Sequence, residues 1–77
     1  MVWVAIEDAD TYEVTEFERV TEKQVHYLMG RYRVDKHDAT RVRLQDTEDG
    51  ANIIYDGVIY RGGFGCNLWV ARKYREI

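Results

Sequence analysis

Asn52-Ile53-Ile54-Tyr55-Asp56-Gly57-Val58-Ile59-Tyr60-Arg61 is the stretch on which the fold turns. Ile53, Ile54, Tyr55, Val58, Ile59 and Tyr60 are β-branched or aromatic and suit a pleated strand. Asp56-Gly57 stands between the two apolar runs. That arrangement is the signature of a two-residue type I′ hairpin, because both central residues of such a turn need positive φ. The hairpin register sets Tyr55 opposite Val58, Ile54 opposite Ile59 and Ile53 opposite Tyr60.

The flanking segments extend the β reading. Val2–Ile6 is apolar and β-branched, consistent with a buried strand, and Glu7-Asp8-Ala9-Asp10 reads as a turn. Tyr12–Val20 suits a second strand. Tyr12 and Val14 share one parity and Phe17 the other, so a bulge near Glu16 is expected to switch the face. Thr40–Gln45 alternates and reads as a strand after the polar turn Asp35–Ala39. Asp46–Gly50 reads as a helical turn or a loop. Beyond the hairpin, Gly62–Asn67 is a flexible glycine-rich connection. Leu68–Tyr74 is a last strand, with the end from Lys73 free to fray.

Thr21–Val34 fits two templates. Thr21-Glu22-Lys23-Gln24 matches a helix capping box, and Val25, Leu28, Met29 and Tyr32 have helical spacing. Val25, Tyr27 and Met29 also alternate, and Gly30 interrupts the run. These favour a strand from Lys23 to Met29. The run Tyr12-Glu-Val-Thr-Glu-Phe-Glu-Arg-Val-Thr-Glu-Lys-Gln-Val, then Gly30-Arg31-Tyr32-Arg33 with Lys36, then Asp46-Thr47-Glu48-Asp49-Gly50-Ala51, resembles small uncharacterised proteins of tailed bacteriophages. The likeness covers residues 12–52, with Tyr32 where those proteins carry a second arginine. It implies a strand–turn–strand through Val25 and a phage origin, and it implies no activity.

The expected architecture is therefore mainly β, or α+β: one domain over residues 1–77, with five to six short strands and at most one short helix. The strands form a small curled antiparallel sheet or an SH3- or OB-like barrel. A chain of 77 residues builds a marginal core. One cysteine, Cys66, permits no internal disulfide, and His26 and His37 make no zinc spacing, so no metal is expected. Self-association to a homo-oligomer is the stabiliser still open. No apolar run is long enough for a membrane span, and Met1–Ile6 lacks the basic start of a secretory signal. The lone thiol fits a reducing cytoplasm.

The net charge of −3 argues against duplex DNA as partner but conceals an asymmetry. Acids crowd residues 7–22, arginines crowd 31–43, and bases recur at 72–75. Arg31 and Arg33 are two apart, as are Arg41 and Arg43. A hairpin centred on His37 would pair Arg33 with Arg41 and Arg31 with Arg43 on one face. Like charges directly opposite destabilise a sheet, so neighbouring acids such as Glu16 and Glu18, or a bound anion, must offset them. The guanidinium fork suits phosphate. The second cluster is Tyr60-Arg61-Gly62-Gly63-Phe64-Gly65-Cys66-Asn67. Its glycines allow backbone N–H groups to approach an anion, and Tyr60 or Phe64 can stack on a base. A bulged β connection explains the same glycines without a ligand.

No catalytic grouping is recognisable, and no cofactor is called for. The expectation is a non-catalytic, phage-encoded counter-defence protein that sequesters a small anionic, nucleotide-type ligand. Its ligand-binding residues are Arg31, Arg33, Arg41, Arg43, Tyr60, Arg61, Gly62, Gly63, Phe64 and Asn67. One alternative is an inhibitor docking on a host protein through exposed Trp3, Trp69 and tyrosines. Another is a single-stranded nucleic-acid-binding module.

Overall fold

The computed structural model describes residues 1–46 and 53–76, and for Thr15, Glu16, Gln45 and Asp46 it describes the backbone. The elements are β1 (Val2–Asp8), β2 (Val14–Val20), α1 (Glu22–Arg31), β3 (Ala39–Asp46), β4 (Ile53–Arg61) and β5 (Cys66–Glu76). The five strands form one antiparallel sheet in the order β2-β1-β5-β4-β3. Apart from Asp46, which ends β3, the segment 46–50 read as a helical turn or loop lies outside the described residues.

Residues 22–31 coil into a helix, which corrects the strand expected over Lys23–Met29 and the strand–turn–strand that the phage resemblance implied. Two local effects decide it. Gln24 N–H donates to Thr21 Oγ1 at 3.2 Å, and Thr21 N–H donates to Gln24 Oε1 at 2.9 Å. This reciprocal box satisfies two helix-end donors that a strand would leave to other partners. Helical spacing then sends Val25, Leu28, Met29 and Tyr32 together onto the sheet. Val25 is fully enclosed there, worth about 1.5–3 kcal/mol of apolar burial. Tyr27, which the alternating pattern had grouped with Val25, stays exposed.

Asp56-Gly57 makes no turn, which corrects the hairpin expected there. β4 runs through both residues, and both of its neighbours pair along it. The two-residue turn with positive φ lies instead at Phe64 (61°) and Gly65 (71°), between β4 and β5. Gly57 serves close approach rather than turning. A Cβ there would lie 2.6 Å from Trp69 Nε1 and 2.8 Å from the Val70 carbonyl oxygen. The indole of Trp69 takes the space that a side chain would occupy.

The sheet has an apolar layer on each face. On the helix side Val2, Val4, Ile6, Val20, Leu68 and Val70 meet Val25. On the other side Trp3, Ala5, Tyr55, Trp69 and Ala71 form a second cluster. Phe17 of β2 reaches Tyr55 of β4 with ring centroids 5.6 Å apart. A flat sheet would separate those strands by about 14 Å, three spacings of ~4.8 Å. The sheet is therefore curled, concave on the aromatic side. Two register breaks assist. One falls between Ile6 and Glu7 and skips Thr15, next to the bulge expected at Glu16. The other skips Arg72. β5 continues regular pairing to Glu76, past the fraying expected from Lys73.

Candidate functional site

The ten residues expected at one ligand site stand in two separate places. Arg41 and Arg43 do share a face of β3, as their spacing implies. Arg31 and Arg33 do not join them, which corrects the four-arginine face. Arg31 ends α1, where its Nη1 donates to Tyr27 Oη at 3.4 Å and its guanidinium lies over the Tyr32 ring. Arg33 occupies the following loop at φ 49°. No hairpin centres on His37, because β3 pairs with β4 and the chain before it is helical.

Arg33 gathers instead with the glycine cluster. Gly63 N–H donates to the Tyr32 carbonyl at 2.7 Å, and the Arg33 guanidinium lies 5.2 Å over the Phe64 ring. Arg61 pairs with Asp38 at 3.5 Å. Tyr60 packs against the helix-side core, and Asn67 Nδ2 donates to Glu7 Oε1 at 3.4 Å on the opposite face. Along β4, Arg61 is three residues from Val58, which faces Arg41, and five from Asp56, which faces Arg43. This end of the sheet therefore lies about 10 and 16 Å along the strand from those two positions, at ~3.3 Å per residue.

A groove opens where α1 stops covering the sheet. Gly57, Val58 and Val70 lie along it, and Arg41, Arg43, Asp56, Arg72 and Lys73 supply its charge. Its volume of about 720 Å³ falls in the range of small-ligand sites. The β5 bulge is what assembles it. In a regular strand consecutive side chains point to opposite faces. The register passes from Gly57–Ala71 to Asp56–Lys73 and leaves Arg72 unpaired, so Arg72 and Lys73 both line the groove. The bases at 72–75 were visible in the sequence. Strand parity would have parted these two, and nothing local marks the bulge.

Two of the four cations carry acid partners. Arg43 Nε donates to Asp56 Oδ1 at 3.0 Å. Arg72 presents its fork to Glu22 at the first turn of α1, Nε to Oε1 at 2.7 Å and Nη2 to Oε2 at 3.0 Å. Those hydrogen bonds hold the Glu22 carboxyl below its ordinary value and raise Arg72. Among the described residues Arg41 and Lys73 have no such partner. Four cations, Arg41, Arg43, Arg72 and Lys73, against two acids, Asp56 and Glu22, leave a local charge of +2 on a chain of net −3. No family model, curated protein or solved structure matches this chain.

The residues expected to form a protein-binding hot spot are also displaced. Trp3 and Trp69 are core residues, at 9% and 1% exposure. Among the described residues, apolar side chains that remain open on the concave side include Val14, Phe17, Leu44 and Tyr74. Cys66 is a half-buried packing residue beside the helix-side core. His26 faces solvent on α1.

Proposed function

We propose that the protein is a non-catalytic binding module whose cationic groove captures a small anionic ligand of the nucleotide type. The supporting observation is the convergence of Arg41, Arg43, Arg72 and Lys73, two of them unopposed among the described residues, around one ligand-sized space. Guanidinium forks bind phosphate oxygens in bidentate fashion, while Lys73 adds a point charge. Among the described residues that line the groove none is a recognisable nucleophile or acid–base pair, which supports capture without turnover. In the setting of a phage protein, that role is removal of a host nucleotide signal in a counter-defence.

Thermal shift and calorimetry with a panel of nucleotides test the reading. A ligand present at a hundred times its dissociation constant stabilises the fold by about 2.7 kcal/mol, which is readily seen in a melt. Arg41→Ser combined with Lys73→Ser should remove that gain and flatten its salt dependence. If no nucleotide raises Tm while a host protein co-purifies, the reading fails.

The second reading, an inhibitor that docks on a host protein, draws support from one observation. Phe17 and Tyr74 are about half exposed on the concave face beside buried tryptophans, which gives that face apolar anchors open to a partner. Phe17→Ser would abolish such docking and leave nucleotide binding intact.

A further inference from the structure

Arg72 is the one groove cation whose whole fork is already occupied. Its Nε and Nη2 both donate to the two carboxylate oxygens of Glu22, at 2.7 and 3.0 Å. These two donors are also the pair a phosphate would take in bidentate fashion. Glu22 therefore stands in for the ligand on this arginine. Its carboxylate is held there by α1, in whose first turn it lies. An acid at that position is favoured by the helix dipole whether or not Arg72 is near. The Arg72–Glu22 pair is half exposed on both sides, and exposed ion pairs exchange at little cost. Arg41 and Lys73 carry no competing acid among the described residues and remain available as the first contacts.

We infer that Glu22 is a built-in competitor of the groove, displaced from Arg72 when a phosphate-bearing ligand binds. This rests on the reading of the groove as an anion site. The consequence is selectivity by charge density. A singly charged carboxylate gains nothing by replacing Glu22, since it repeats the bond it breaks. A multiply charged phosphate or pyrophosphate group engages Arg72 together with Arg41 and Lys73, and displaces the carboxylate.

The probe is inorganic pyrophosphate, titrated by calorimetry at fixed ionic strength. The proteins are the parent, Glu22→Gln, Glu22→Asp, Arg72→Gln and the Glu22→Gln/Arg72→Gln double variant, each checked by thermal melt. Removing one opposing surface charge at the contact should tighten binding about three- to tenfold in Glu22→Gln. Glu22→Asp keeps the first-turn charge and the helix, but is one methylene short of the fork. It should tighten binding by a smaller factor. Arg72→Gln should weaken binding, and the gain from Glu22→Gln should shrink on that background. Pyrophosphate binding to the parent, lost in Arg72→Gln but unchanged in both Glu22 variants, overturns the competitor role and leaves the anion site standing. A gain that persists undiminished without Arg72 overturns it too. If the parent binds neither pyrophosphate nor any nucleotide of the panel, the anion site falls and the competitor with it.

Discussion

Gly57→Ala tests the least expected feature of this fold, a glycine inside a continuous strand with an indole resting on it. The added methyl would lie 2.6 Å from Trp69 Nε1, 2.8 Å from the Val70 carbonyl oxygen and 3.0 Å from Trp69 Cε2. None of these yields easily. Val70 is backbone in the central strand, and Trp69 is 1% exposed, stacked on Phe17 at 5.6 Å and edged by Tyr55 at 5.8 Å. Overpacking of this kind costs about 1–3 kcal/mol, and two obstructed directions place it in the upper half. The unfolded-state advantage of Ala over Gly returns about 0.5–1 kcal/mol. The net expectation is a loss of about 1–2.5 kcal/mol, a fall in Tm of roughly 4–20 °C for a domain of this size.

Thermal and urea melts followed by circular dichroism measure that loss. A steric origin has a second signature. On a Trp69→Phe background the indole nitrogen is gone, so Gly57→Ala should cost at least about 1 kcal/mol less than in the parent, a coupling a double-mutant cycle resolves. A type I′ turn at Asp56-Gly57 would also resist alanine, through positive φ, but that cost would not change with residue 69. Additive effects of the two substitutions, or a single-variant Tm within 2 °C of the parent, would refute the close-approach argument.

Three further outcomes follow from local geometry. Thr21→Ala removes the capping box and should cost about 1 kcal/mol, lowering Tm by roughly 4–8 °C in a calorimetric scan. Asp8 Oδ1 accepts N–H donors from Asp10 at 2.8 Å and Thr11 at 3.0 Å, which lower the Asp8 carboxyl below its ordinary value. A depressed carboxyl adds stability above its unfolded pKa, and that part is lost as pH falls through the folded one. Asp8→Asn should therefore lower stability at pH 7, where the parent holds that part in full, converge with the parent at low pH, and flatten the stability profile below about pH 4. Phe64 sits in the left-handed region at φ 61°, mostly exposed, with Arg33 over its ring. Asn tolerates that conformation, and relief of strain should exceed the lost cation–π contact by ~0.5 kcal/mol, so Phe64→Asn should raise Tm by about 2–4 °C. An unchanged or lower Tm in that variant would argue against strain at the tip.

Patterns that repeat along the chain survived folding because each is enforced by near neighbours. The β-branched run of Val2–Ile6, the alternation of Thr40–Gln45, the parity break beside Glu16 and the same-face spacing of Arg41 and Arg43 all have their place in the sheet. A strand's period of two is local, and so is the reciprocal box of Thr21 and Gln24, although the competing alternation of Val25, Tyr27 and Met29 concealed its outcome. Three matters could be resolved only by contacts between residues far apart in the chain. Asp56-Gly57 extends rather than turns because Trp69 fills the space above Gly57. Trp3 and Trp69 become core because the sheet curls until Phe17 meets Tyr55. The groove owes half its positive charge to Arg72 and Lys73, brought to one side by a bulge whose position is set by pairing with β4. Register and curvature minimise the energy of the whole sheet, and no window of a few residues contains that sum.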